Sequence, residues 1–376
     1  MTRVTLWAAG ERFDSLALLG KPVWQRTKEA VDGLKLPPIR WVGKGGAAEL
    51  TKTTLAETAK GRGTVLLVPA NLPCLTTRSL KRLLSSHSKT PSSSPRALFP
   101  SKGGAPRVVV AHARVLDNIR PATFEAVCRA LTPEPVFTDD DDLLVVDSAA
   151  AWGEAHRILR TRKLDALIRR GVLVPDPGNV CVDPEVSVSA GAMLSPWVRL
   201  EGNSRVGKDC TIGSFSHLVN ATVGAGTVIL DHCFIRESRI GKNASVGPFT
   251  HLRPAADVGD RARVGNFVEL KKSTLGAGAK VSHLAYVGDA TLGKDANLGA
   301  GTITCNYDGK TKNRTIVGDG AFIGSDVQLV APVRVGKGAF VAAGSCIVDD
   351  VPPHSLALAR SRQVVKKNWA KNRNKR

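Results

Sequence analysis

The sequence is poor in aromatic residues, in acids and in paired cysteines. Only 5% of its 376 residues are aromatic, and just two are tyrosine, Tyr286 and Tyr307. With few stacking rings and no recognised nucleic-acid motif, a specific nucleic-acid reader is not expected. No apolar run approaches the ~18 residues of a membrane span, so membrane insertion is not expected either. The opening MTRVTLWAAGERF reads as a first strand and not as a signal peptide. Seven cysteines (Cys74, Cys128, Cys181, Cys210, Cys233, Cys305 and Cys346) are scattered without one C-x-x-C pair. That argues against a disulfide framework and a structural zinc site, and it predicts a reducing, cytoplasmic setting. Acids are outnumbered 33 to 53, leaving a formal charge of +20. Such a field attracts nucleic acid, an anionic membrane surface or phosphorylated small molecules, and an ordinary basic solvated surface accounts for it equally well.

What is present divides into regions. Residues 1–147 mix short apolar strands (4–6, 64–68, 108–110) with helical patterns (79–84, 122–131), predicting a compact α/β domain. Residues 85–104 are rich in Ser, Pro, Lys and Gly and predict a mobile loop. Residues 148–171 predict a linker helix. Trp152, Ala155, Ile158, Leu159 and Ile168 recur at helical spacing, Asp147 or Ser148 is placed to cap the start, and Gly171 ends it.

From residue 180 to 351 the chain repeats every six residues. Val182, Val188, Leu194, Leu200, Val206, Ile212 and Leu218 begin the series. After shortened steps it resumes at Val223, Ile229 and Ile235, then at Ile240, Val246, Leu252, Val258, Val264 and Leu270. It continues through Leu275, Val281, Val287, Leu292 and Leu298 and ends with Val317, Ile323, Leu329, Val335, Val341 and Ile347. Six fits neither a helix of 3.6 residues per turn nor a two-residue strand alternation. It fits a chain that makes a short strand and a corner every six residues, three of which close a triangular coil. Each aliphatic residue points inward onto its equivalent in the next coil. The glycines that often follow it are expected where a corner is tight. About 18 residues per coil gives roughly nine coils, stabilised by stacking.

The repeat breaks once, in CNYDGKTKNRTI between Thr304 and Val317. Asn306, Asp308 and Gly309 are turn formers. Lys310, Lys312 and Arg314 make the loop cationic, which suits a phosphate clamp as well as a plain solvated loop. Both tyrosines lie in or near this break. The segment VGNFVELKK (264–272) also places a lysine pair and Glu269 on a coil, and Arg253 lies one coil before that.

Five segments carry a close resemblance: GPFTHLRP (247–254), VGNFVELKKSTLG (264–276), SHLAYVGDATLG (282–293), NLGAGTITCNYDGKTKNRTIVGD (297–319) and IGSDVQLVAPVRVGKGAFVAAGS (323–345). With them the chain from about residue 145 onward resembles the acetyltransferase half of the bacterial bifunctional N-acetylglucosamine-1-phosphate uridyltransferase/glucosamine-1-phosphate acetyltransferases. The resemblance implies a left-handed parallel β-helix of hexapeptide repeats over 172–360, a basic tail over 361–376 that includes Trp369, and a homotrimer. It implies N-acetylation of glucosamine 1-phosphate by acetyl-CoA, a step toward UDP-N-acetylglucosamine. The implied sugar-phosphate contacts are Arg253, Lys271, Tyr286 and Asn297, with Lys312 from the loop. The implied general base is His283. The implied acetyl-CoA contacts are Ala300, Asn306, Tyr307, Ser325, Ala343 and Arg360. These residue types suit the reaction: an attacking amine must lose a proton, and a histidine titrates near neutrality.

Residues 1–147 resemble the uridyltransferase domain in reduced form. LWAAG (6–10) is similar to its opening strand and turn, but ERFDSLALLGKPV replaces the Gly- and Arg-containing nucleotide loop. In GTVLLVPANLPCLTTRSLKRLL (63–84), Asn71 stands where the family has a metal-binding Asp. The second ligand, normally Asn, aligns loosely with Asp147. Uridylyl transfer needs a metal and a phosphate cradle, so a nucleotidyltransferase-like domain without that activity is expected, with Mg2+ relevant only if it is active. The alternatives are a bifunctional enzyme that also makes UDP-N-acetylglucosamine from UTP and a non-enzymatic basic scaffold.

Overall fold

The computed structural model describes residues 2–7, 17–36, 40–42, 63–89, 94–116, 119 and 124–373. Outside them lie residues 8–16 of the opening segment and its replaced loop, 90–93 of the Ser/Pro-rich stretch, 122–123 of the expected helix and 374–376 of the tail. The chain divides into two compact units, residues 1–163 and 164–376.

In the first unit the strands are β1 (Thr2–Trp7), β2 (Ala17–Leu18), β3 (Lys21–Pro22), β4 (Arg40–Val42), β5 (Thr64–Pro69), β6 (Arg96–Pro100), β7 (Val108–His112) and β8 (Glu134–Thr138). Six of them form one mixed sheet in the order β4-β1-β5-β7-β6-β8. Helices cover both faces, because alternate residues of β5 and β7 are apolar on both sides. Val65, Leu67, Val109 and Ala111 pack against helix Phe124–Leu131. Leu66, Val68, Val108 and Val110 pack with Ala30, Val31, Leu80 and Leu83 from helices Val23–Asp32 and Thr77–Ser88. The mobile loop expected over 85–104 is corrected here. The helix runs on to Ser88, and Arg96–Pro100 is a strand between β7 and β8. Ala97 and Leu98 are fully buried: two apolar residues suffice to hold a central strand although its flanks are polar.

The predicted helix over 148–171 spans Ala149–Ile168, and Ser148 is its cap, accepting from the Ala151 N–H at 3.2 Å. Arg162 anchors the helix within the first unit, donating to Asp142 and to the Cys74 carbonyl, both at 2.7 Å. Ile168, expected on its apolar face, is exposed, whereas Leu164 and Leu167 are buried.

The second unit is the hexapeptide, left-handed parallel β-helix that the resemblance implies. Its short strands stack into three parallel faces of nine, ten and ten strands. The first face runs from Ser187–Val188 to Val333–Val335, the second from Met193–Leu194 to Leu356–Ala357, and the third from Cys181–Val182 to Cys346–Ile347. Every aliphatic residue of the six-residue series is buried in one continuous core. Buried hydroxyls stitch coil to coil: Thr227 donates to the Gly241 carbonyl at 2.7 Å and accepts from the Ala244 N–H at 3.1 Å.

The repeat glycines turn out to serve close approach. A Cβ on Gly207 would lie 2.6 Å from the backbone nitrogen of Ala225 in the next coil. The left-handed corner conformation falls largely on other residues, among them Asn220 (φ 50), Asn243 (φ 53) and Phe249 (φ 54). The coil-to-coil step of 17 or 18 residues widens to 25 across the break in the repeat, which leaves the coil as a loop.

Candidate functional site

The site is built around the edge where the second face turns into the third. On the second face, strand Lys280–His283 brings His283 to that edge, and the next strand, Asn297–Leu298, carries Asn297. At the same corner in successive coils stand Ala300, Ser325 and Ala343. Their backbones are linked by Asp326 N–H to the Ala300 carbonyl (2.7 Å) and Gly344 N–H to the Ser325 carbonyl (2.9 Å). Arg360, beyond the last full coil, donates to the Ala343 carbonyl at 2.8 Å.

The third face carries the polar groups. Glu269 and Tyr286 are register partners on adjacent strands. Two residues further along the strand direction lies a cationic row. Arg253 follows Leu252, the partner of Leu270, and so comes beside Lys271. Arg253 donates to Glu269 at 2.7 Å, and that bond holds its guanidinium above the ordinary arginine value. Lys271 is pushed below the ordinary lysine value, chiefly by the ammonium of Lys312, then by desolvation and by Arg253, while Asp289 opposes the shift. The loop across the break therefore brings Lys312 back to Lys271.

That loop is held by its own bonds. The Asp308 carboxylate accepts from the Thr311 N–H (2.7 Å), the Lys310 N–H (2.8 Å), the Thr311 hydroxyl (2.8 Å) and the Asn313 amide (3.0 Å). These donors, the Thr311 N–H foremost, hold Asp308 well below the usual carboxylate range. Tyr307 is exposed and donates to the Gly309 carbonyl at 2.7 Å. Asn306 is buried and donates to Asp289 at 2.6 Å. Gly288 lies beneath them: a Cβ there would sit 2.6 Å from the Tyr286 hydroxyl and 2.8 Å from the Asn306 amide. The absence of a side chain at that point leaves room for both groups above the sheet.

So the structure groups Arg253, Lys271 and Tyr286 on the third face, with Lys312 brought to them by the loop, and His283 and Asn297 at the end of the second. Ala300, Ser325, Ala343 and Arg360 line the corner, and Asn306 and Tyr307 lie at the base of the loop. Sequence reasoning missed Asp289, which ties Asn306 to the Lys271 rung, and Asn266, whose amide oxygen meets Nδ1 of His283. The coil step would have found both: Asn266 stands 17 residues before His283, and Asp289 17 before Asn306.

In the first unit, Asn71 follows β5 and is buried, and its carbonyl accepts from the Val146 N–H at 3.0 Å. That bond brings the backbone next to Asp147, an exposed residue, alongside Asn71. The two residues offer one amide and one carboxylate, the donor types the resemblance calls for with their positions exchanged, and here the amide is buried and the carboxylate exposed.

Residues 177–256 match the family described as the GMPPB C-terminal domain. The bifunctional protein GlmU of Koribacter versatilis is 43% identical over 232 residues, covering 62% of this chain and 50% of the relative. That of Thermotoga maritima is 46% identical over 241 residues, covering 62% and 53%. The C-terminal half of this chain is similar to bifunctional GlmU. The chain spans about half the length of the GlmU proteins it matches. Solved structures align more distantly. LpxA from Acinetobacter baumannii has a TM-score of 0.30 and 16% identity over 54% of this chain and 77% of that one. A UDP-N-acetylglucosamine acyltransferase from Campylobacter jejuni gives 0.29 and 19% over 51% and 77%. That likeness is too low to add to what the strands show.

Proposed function

We propose that this protein is an acetyl-CoA-dependent N-acetyltransferase that converts glucosamine 1-phosphate to N-acetylglucosamine 1-phosphate. The observation that carries the reading is that His283 stands at the corner where the third face begins, and that the same face carries the cationic row of Arg253 and Lys271, joined by Lys312 from the loop. The similarity to GlmU over the same region supports it. The row binds the sugar phosphate through charge-assisted hydrogen bonds. Tyr286 and Asn297 flank the sugar. Ala300, Ser325, Ala343 and Arg360, with Asn306 and Tyr307, bind acetyl-CoA as the acyl donor.

The amine lone pair attacks the thioester carbonyl carbon, and Nε2 of His283 takes a proton from the nitrogen as the N–C bond forms. The C–S bond then breaks, and the departing CoA thiolate takes that proton from His283. The assembly is a homotrimer in the cytoplasm, acting on a small anionic sugar and not on nucleic acid; among the described residues no helix is long and apolar enough to cross a membrane. The first unit is a nucleotidyltransferase-like domain without uridylyl transfer.

Thiol release from acetyl-CoA, measured against a panel of amino-sugar phosphates, tests the reading. We expect glucosamine 1-phosphate to be preferred. His283→Ala should lower kcat by ~10²-fold or more while leaving acetyl-CoA binding nearly unchanged. Wild-type turnover in that variant removes His283 from the mechanism, and absence of thiol release with every amino sugar removes the activity.

A further inference from the structure

The coil carrying His283 departs from its neighbours. The strands of the second face are otherwise two residues long, but Arg263–Asn266 and Lys280–His283 are four. Two residues already stack a coil, as Val246↔Val264 and Val281↔Leu298 show. The longer ladder reaches one further pair, Asn266↔His283. It depends on Gly265, where a Cβ would lie 1.8 Å from the Ser282 carbonyl oxygen. Both ends of the pair are tied down: the Asn266 carbonyl accepts from the Leu284 N–H at 3.0 Å, and the His283 carbonyl accepts from the Gly301 N–H at 3.2 Å. At the end of this ladder Nδ1 of His283 lies within hydrogen-bond reach of Oδ1 of Asn266.

We propose that Asn266 is a positioning residue that fixes the tautomer and ring orientation of His283; the proposal rests on reading His283 as the general base. An amide oxygen only accepts, so it selects the tautomer with the proton on Nδ1 and leaves the Nε2 lone pair free for the substrate amine. His283 is exposed, so without this partner its ring exchanges rotamers and tautomers. A neutral amide orients the ring while stabilising the imidazolium less than a carboxylate does. A carboxylate in its place would favour the charged form and raise the pH at which the ring becomes a free base. The charged groups on the paired strands, Arg263 and Lys280, sit at their far ends, roughly 10 Å away along the strand. The following strand presents neutral Asn297, and on the third face Glu269 and Tyr286 stand three residues beyond Asn266 and His283 respectively.

The test compares N266A, N266D and H283A in the full chain. The readouts are kcat, both KM values, the pH profile of kcat/KM and the 15N signals of the His283 ring. N266A should lower kcat by about 10- to 100-fold, as a misplaced base does, with both KM values little changed and mixed tautomers in the ring signals. N266D keeps the shape of the side chain and so tests the idea even if N266A fails to fold. Its carboxylate raises the His283 pKa, so the acid limb of kcat/KM should move to higher pH, a shift that a merely structural role does not produce. Wild-type kcat in N266A, or an unmoved acid limb in N266D, with H283A inactive, overturns the role of Asn266 alone. Wild-type turnover in H283A overturns the base and this proposal with it.

Discussion

Two ammonium groups held side by side call for an anion between them. Lys271 comes from a rung of the third face and Lys312 from the loop across the break, and the Lys312 charge depresses Lys271 more than any other cause. Arg253 already has Glu269 as a partner, so the lysines are the less neutralised part of the row. The sign of the pH effect follows. A lysine below its ordinary value loses its proton at lower pH than usual, so the affinity for the sugar phosphate should fade early on the alkaline side. Lys312→Met removes the repulsion and lets Lys271 return upward. The alkaline rise of KM should then shift to higher pH, while KM at neutral pH increases about tenfold or more through loss of a charged contact. Steady-state kinetics across the alkaline range decide it; an unchanged neutral KM in the variant would take Lys312 out of the phosphate site.

Among the elements, the corner between the second and third faces presents the most unusual surface. Trp197, Phe215, His232, Phe249 and Phe267 stack along it in successive coils, with ring centroids 6.0, 4.9, 4.7 and 5.3 Å apart. All five have positive φ, a conformation that disfavours a side chain by roughly 1–2 kcal/mol per residue. Trp197, Phe215 and Phe267 remain about half exposed, at 54, 53 and 54%. A continuous, largely apolar aromatic ridge of this kind marks an interaction surface. Its last member leads to Leu284, the neighbour of His283, so a second copy of the chain seated there would border the site. We therefore expect a trimer in sedimentation equilibrium, and we expect Phe215→Ser with Phe249→Ser to shift it toward monomer and reduce activity. A stable, fully active wild-type monomer would contradict the assembly. This ridge was not legible in the period of six, which marks the inward residue and says nothing of the corner one. The inward series itself was fully legible, because one aliphatic residue per rung must be buried. Strand Arg96–Pro100 was hidden because its two buried residues are outvoted by polar neighbours. Asn266 was legible only through the coil step, since its partner is 17 residues away, one coil and not one helical turn.

At the scale of the molecule the question is what the first unit does. The GlmU relatives are named bifunctional and are about twice as long as the stretch matched here. The first unit keeps a six-stranded sheet with helices on both faces, so its core is sound, and any loss concerns the site. At that site Asn71 is buried and neutral, beside a single exposed carboxylate, Asp147. A hard cation binds an amide oxygen more weakly than a carboxylate, and it must also offset the charge of a triphosphate. In sequence, ERFDSLALLGKPV stands where the resemblance calls for a Gly- and Arg-containing phosphate loop, so the cradle is altered as well as the metal ligand. Two defects at separate points are not mended by one substitution. With UTP, N-acetylglucosamine 1-phosphate and Mg2+, the full chain should therefore release no pyrophosphate and form no UDP-sugar, and Asn71→Asp alone should not restore either. Acetyl transfer by the same preparation serves as the internal control, since its groups all lie in the second unit. Metal-dependent pyrophosphate release by the wild-type chain, abolished by a change at Asn71 or Asp147, would mean that the two ligands have exchanged places and the site still turns over.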